Sequence, residues 1–219
     1  MNIPFAIRDP TPLVGRAREQ AALRDSLAAA LAGRGSLVLI SGEAGIGKTA
    51  LAEAICREAE EQDAVVLVGR CYDLTETPPY GPWREIFAVT AREPDLPPLP
   101  AAVLSPDLEA EALDSQAAII TRVGAYLAAL AARRPLVLLL EDLHWADDAS
   151  LDLLRPIARG FGALPLLLLA TYRADEIDEG RPLASILPLL VREARAVRLA
   201  LPRLNAEETR TLARARYRL

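Results

Sequence analysis

Gly42, Gly47, Lys48 and Thr49 stand in the spacing Gly-x4-Gly-Lys-Thr, the pattern of a phosphate-binding loop. Glycines at 42, 45 and 47 let the backbone take angles that side chains forbid, so several N–H groups can turn inward around one anion. The start of the following helix adds partial positive charge. Lys48 would reach the outer phosphates, and the Thr49 hydroxyl suits Mg2+, which prefers oxygen ligands and keeps several waters. A second chemical signal is the pair Glu141-Asp142 at the end of the apolar run 136–140. One carboxylate there can hold Mg2+, directly or through water, while the other accepts a proton from, or orients, an attacking water. A third is Thr171-Tyr172-Arg173 after the run 165–170. Thr171 could contact the attacking water. The planar fork of Arg173 suits a terminal phosphate, and equally a surface salt bridge.

These residues need strands that end together and helices that begin there. The run 37–41 reads as a first strand, followed at once by a helical pattern from Ala50 to Glu60. Further strands are expected at 64–69, 135–140, 165–171 and 196–201, the central ones apolar throughout, as fully buried parallel strands are. Between them lie helical patterns. Leu23, Leu27 and Leu31 share one face. A helix over 83–91 starts near Pro82. A long helix runs from a Ser105-Pro106 start to about 133, with a break near Asp114-Ser115 and an apolar stripe of Ile119, Val123, Tyr126, Leu127 and Leu130. Asp147 or Asp148 caps a helix carrying Leu151, Leu153 and Leu154, in which Pro156 marks a kink or a start. A helix spans 181–194, and Asn205 with Glu208 forms a capping box for the last one. Residues 1–12 read as an extended arm and 93–106 as a proline-rich surface loop. Strand–helix alternation predicts an α/β fold whose ligand sits at the C-terminal ends of the strands.

Composition narrows the function classes. The 219 residues carry a formal net charge of −5, so no global basic field invites nucleic acid. Arg210, Arg214, Arg216 and Arg218 read as a solvated helix face. Cys56 and Cys71, the two cysteines, have neither metal-ligand spacing nor a disulfide framework, and imply reduced thiols in a cytoplasmic protein. The first residues lack the pattern of a signal peptide, and the apolar runs are too short to span a bilayer. His144 could sense a phosphate or move protons, but bracing of its loop is the favoured reading. Tyr80 and Trp83 are expected to pack a loop onto the core. Val14-Gly15-Arg16, upstream of the phosphate loop, could cover a nucleotide base or simply open a helix.

Taken together and in order, Leu13-Val14-Gly15-Arg16, the phosphate loop, Tyr80-Gly81-Pro82-Trp83, Leu140-Glu141-Asp142-Leu143-His144-Trp145-Ala146-Asp147 and Thr171-Tyr172-Arg173 resemble the nucleotide-binding domain of STAND-class ATPases, within the AAA+ relatives. The version is the one at the front of large LuxR-type bacterial transcriptional regulators and of some cyclases and kinases. The resemblance covers about residues 12–216. It implies a P-loop NTPase fold, a three-layer α/β/α sandwich with a parallel five-stranded sheet of order 5-1-4-3-2. It implies ATP or ADP with Mg2+ as ligands, and hydrolysis of ATP to ADP and phosphate. Val14, Gly15 and Arg16 would lie near the adenine. Gly42, Glu43, Ala44, Gly45, Ile46, Gly47, Lys48, Thr49 and Ala50 would hold the phosphates. Thr49 and Glu141 would serve the metal, Asp142 would activate water, and Arg173 would be the first sensor.

The resemblance divides the chain into an arm (1–12), a nucleotide-binding domain (13–204) and the start of a helical lid (205–219). Two departures stand out. Glu141 occupies a position where many relatives carry Asp. The rest of the lid, with its Gly-x-Pro element, and the output domains are not in this sequence, so it reads as a fragment. Partners implied are an adenine nucleotide, DNA through a C-terminal domain of a parent protein, and nucleotide-dependent self-association, with no membrane. Two rival functions are a small-molecule kinase, which would want an arginine-rich lid and an acceptor pocket, and a non-catalytic module that holds ADP.

Overall fold

Runs of aliphatic residues form five strands: β1 (Ser36–Ser41), β2 (Val65–Arg70), β3 (Leu136–Glu141), β4 (Leu166–Tyr172) and β5 (Val197–Ala200). The structure is a computed structural model and describes residues 13–73, 78–90, 96–104, 115–178 and 180–217. All strand pairs are parallel, in the order β2-β3-β4-β1-β5. This is the order inferred from the resemblance, read from the other edge. Parallel neighbours need crossovers, and the helices supply them: α1 (Ala17–Leu31), α2 (Lys48–Glu61), α3 (Gly81–Thr90), α4 (Ala101–Leu104), α5 (Gln116–Arg133), α6 (Asp148–Gly160), α7 (Pro182–Glu193) and α8 (Ala206–Tyr217).

The period-2 alternation of strand side chains sorts the core into two layers. Val38, Ile40, Val137, Leu139, Leu167 and Leu169 face α1 and α2, where Leu23, Leu27, Leu51 and Ile55 are buried. Leu37, Leu39, Leu136, Leu138, Leu140, Leu166 and Leu168 face the other way, against Trp83 and Phe87 of α3, Val123 and Leu127 of α5, Leu154 of α6 and Leu190 of α7. Central strands β3 and β4 are buried along their whole length, whereas β5 at one edge is mostly exposed. The acidic end of β3 and the Thr171 end of β4 are therefore neighbours, beside the strand that feeds the phosphate loop.

Some local expectations change. Helix α5 begins after Ser115, whose hydroxyl accepts the Ala118 N–H at 3.3 Å. The expected earlier start at Ser105-Pro106 lies outside the described residues, as does the arm 1–12. The proline-rich loop contains the one-turn helix α4, with Val103 buried in the core. Pro156 sits inside α6 without ending it. Asp147, not Asp148, is the cap. No helix among the described residues is long and apolar enough to cross a membrane.

Candidate functional site

The phosphate loop joins β1 to α2. Gly47 precedes α2 at φ 103° and offers no side-chain cap. The first N–H groups of α2 therefore keep no side-chain partner of their own helix end, which is the arrangement that receives an anion. Lys48, 6 % exposed, donates to the loop's own carbonyls, Gly42 O at 2.9 Å and Glu43 O at 2.8 Å. Burial pulls its ammonium below the ordinary lysine range, and the charge of Asp142 works against that pull. Lysine and acidic tip thus lie within electrostatic reach of each other.

Asp142 leaves β3 in the left-handed region, at φ 53°. Aspartate tolerates this conformation better than most residues. The turn is held by Thr171 at the end of the neighbouring β4, whose Oγ1 accepts the Asp142 N–H at 3.0 Å. Thr171 is thereby engaged with the backbone of the acidic tip and is itself 1 % exposed. Glu141 is occupied from two sides. Arg70 at the end of β2 meets its carboxylate at 3.0 Å, and the Thr49 hydroxyl donates to it. Burial pushes the Glu141 carboxyl up from the ordinary carboxylate range; Arg70 and Thr49 oppose that shift.

A cavity of about 680 Å³ brings these parts together. Its walls include Val14, Arg16, Gly45, Ile46, Gly47, Lys48, Thr49, Ala50, Asp142 and Arg173. Its volume falls in the range of small-ligand sites. Glu141 does not line it but touches it through Thr49. Glu43 and Ala44 are exposed on the loop. Glu43 pairs with Arg203 at 2.7 Å, and with Gly42 it borders a second hollow. Arg16 is buried: its Nη2 donates to Ile46 O at 3.2 Å and to Pro202 O at 2.8 Å, tying the phosphate loop to the segment after β5.

Oxygen donors fit Mg2+ here. Thr49 and Glu141 already meet, and among the described residues no group of three or more His, Cys, Asp or Glu could cage a metal unaided. An ion at this place would draw most of its ligands from phosphate and water, which is the habit of Mg2+.

Other walls were not anticipated. Leu13, Leu204 and Glu53 line the cavity, as do Thr209, Leu212 and Arg216 of α8. The three residues of α8 share one face at helical spacing; of these, only Arg216 belongs to the arginines that the sequence suggests are solvated. The capping box forms as expected, with Asn205 Oδ1 accepting from Glu207 and Glu208 N–H and Glu208 returning to Asn205 N–H at 2.8 Å. It has a second use: Gly15, at φ +68°, packs so closely on Glu208 that a Cβ would lie 2.6 Å from its carboxyl. The Val14-Gly15-Arg16 turn and the root of α8 are one joint.

The remaining motif residues hold the frame. Asp147 accepts from Tyr80 N–H at 3.0 Å, Gly81 N–H at 3.3 Å and Ser150 N–H at 2.8 Å, so it caps α6 and pins the start of α3 together. Trp83 is fully buried and its Nε1 donates to Ser150 O at 3.1 Å. His144 braces its loop, with Nδ1 accepting the Arg173 N–H at 3.4 Å. Both cysteines are buried free thiols whose pKa burial pushes up.

Comparison with known proteins follows the same outline. The family model described as "AAA ATPase domain" matches residues 12–169. A protein of Rhizobium meliloti (strain 1021), itself uncharacterized, is 30 % identical over 240 residues, covering 94 % of this chain; the chain spans only 22 % of that relative's length. Among solved structures, the Orc1 protein of Aeropyrum pernix, determined in complex with DNA, aligns over 95 % of this chain and 50 % of its own with a TM-score of 0.62 and 24 % identity. A STAND protein with a tetratricopeptide repeat sensor from Pyrococcus horikoshii aligns over 98 % of this chain and 28 % of its own, with a TM-score of 0.54 and 20 % identity. At these identities the structural likenesses speak to the fold, which is that of P-loop NTPases. With the family model matched across most of its length, this chain belongs to the AAA ATPase domain family.

Proposed function

We propose that this chain is a switch module that binds Mg-ATP and hydrolyses it slowly, of the kind that stands at the front of LuxR-type transcriptional regulators. The observation that carries the reading is the convergence of Lys48, Asp142 and Arg173 on one cavity whose floor is the phosphate loop. The loop amides and Lys48 would hold the phosphates, and Lys48 would exchange its carbonyl partners for phosphate oxygens. Asp142, kept in place by Thr171, would accept the proton of the attacking water. Thr49 and Glu141 would hold Mg2+, whose charge would stabilise the phosphates. The joint between Gly15 and Glu208, with the Arg16 tie, would carry changes at the loop into α8. A difference in affinity for ATP and ADP between two arrangements of α8 is what a switch requires.

Lys48→Ala tests the site. In calorimetry with Mg-ATP it is expected to lose about two orders of magnitude in affinity, as removal of a charge-assisted contact does. Unchanged affinity would falsify the assignment. A second reading, a module that holds ADP without turnover, draws support from the pairing of Glu141 with Arg70, which competes with metal. Tightly held ADP and no phosphate release would favour it. The kinase alternative finds less support: Arg181 stacks over Trp145 at 4.7 Å and Arg192 pairs with Glu193, and neither lines the cavity that Arg173 does. DNA binding and self-association would belong to a longer parent protein.

A further inference from the structure

Arg173 is not free to meet a ligand. Its Nη1 donates to Glu176 Oε1, three residues on, in the single helical turn Ala174–Glu176. Its backbone N–H donates to His144 Nδ1. An imidazole that accepts at Nδ1 carries its proton on Nε2 when neutral. Burial holds His144 below its ordinary pKa, in keeping with a neutral ring. That Nε2 lies 3.4 Å from Glu176 Oε2, and both atoms are buried without a hydrogen-bond partner. One carboxylate therefore stands between two donors. The guanidinium has one oxygen, and the imidazole N–H falls just short of the other.

Arg173 also lines the cavity that holds Lys48 and Asp142, and Lys48 lies within reach of the charges of Asp175 and Glu176. A guanidinium already paired with a carboxylate must release it before gripping a phosphate. A triphosphate asks for that release; a diphosphate, one phosphate shorter, does not. We propose that Glu176 sets the choice between the two. It occupies Arg173 while no terminal phosphate is bound, passes to His144 Nε2–H when Arg173 turns to that phosphate, and so lowers the preference for ATP over ADP. This rests on the nucleotide-site reading above. The Arg173 and Glu176 side chains are 34 % and 26 % exposed, so solvent screens the pair. The penalty on triphosphate binding is correspondingly modest, about threefold to fivefold.

The experiment is calorimetry on the full 219-residue chain with ADP and with ATPγS, each with Mg2+. Glu176→Gln is expected to tighten ATPγS by about threefold to fivefold and to move ADP by less than about twofold. In an Arg173→Ala background the same substitution is expected to change neither, because the competition needs the guanidinium. Should Glu176→Gln fold poorly, His144→Phe reads the other half: a ring without the receiving N–H is expected to weaken ATPγS while sparing ADP. Equal shifts for both nucleotides, or a Glu176 effect that persists without Arg173, would overturn the proposal. A wild-type chain that binds ADP through Lys48 but is indifferent to Glu176→Gln sinks this inference alone. A wild-type chain that binds neither nucleotide removes the site reading beneath it as well.

Discussion

The phosphate loop and the acidic strand tips face one cavity, but they are made from different materials. The loop works through backbone. Its shape comes from Gly45 and Gly47 at positive φ, and its anion-binding groups are main-chain amides at the start of α2. The tips of β3 and β4 present side chains, and partners hold them in place: Arg70 and Glu176 pair with the Glu141 and Arg173 side chains, while Thr171 and His144 accept the backbone N–H groups of Asp142 and Arg173. A backbone device tolerates change at most side chains and fails at its glycines. A side-chain device fails at its partners, even those that never touch a ligand.

That contrast can be tested from the tip side first, where the largest effect is expected. Asp142→Ala should keep nucleotide affinity and lose about a hundredfold to ten-thousandfold in turnover, the usual worth of a positioned base. A phosphate-release assay reads it, and unaltered release would take Asp142 off the list of reacting groups. Thr171→Val keeps the shape but strips the acceptor from the Asp142 N–H. It should cost about 1–3 kcal/mol in denaturant unfolding and reduce turnover without weakening ADP. If stability and turnover are both untouched, the tip does not depend on its partner.

On the loop side, Gly47→Ala meets no neighbouring atom, so any loss is conformational. A cost of about 1–2 kcal/mol is expected from φ 103° alone, together with weaker nucleotide binding in calorimetry. A variant as tight and as stable as wild type would show that the backbone shape is not what binds. The smallest effect concerns His144. Its folded-state pKa lies below the ordinary 6.5 because of burial. The stabilisation it contributes is therefore complete above about 6.5 and drains as pH falls toward the lowered value. Unfolding midpoints of wild type should drop as pH falls below about 6.5 by more than those of His144→Gln. Parallel curves would mean that the ring does not carry the difference.

The same contrast explains how much was legible beforehand. The glycine spacing, the apolar strands and the capping box at Asn205 are local patterns, and each appears where expected. The sheet order came from resemblance, and the alternation of strands and helices agreed with it. Arg16 was placed near the base; it lines the cavity yet sends its guanidinium to Ile46 O and Pro202 O. Thr171 could contact the attacking water by its place at the strand end; that its Oγ1 also accepts the Asp142 N–H shows only in the folded sheet. Arg216, grouped by sequence with Arg210, Arg214 and Arg218 on a solvated face, lines the cavity, because nothing in α8 itself reveals the cavity beside it.

Backbone preferences act over a few residues, so the loop, the strands and most helix starts were written into the chain and could be read there. Pairings across the sheet have no such local code. Thr171 finds Asp142, and Arg70 finds Glu141, because β4 and β2 flank β3 in the assembled sheet; Gly15 finds Glu208 because β5 returns the chain beside the phosphate loop. Desolvation, which shifts Lys48, Glu141 and His144, likewise exists only once the layers have closed. The chemistry on offer was set by residue type, and the partner that restrains each group was set by adjacency in space.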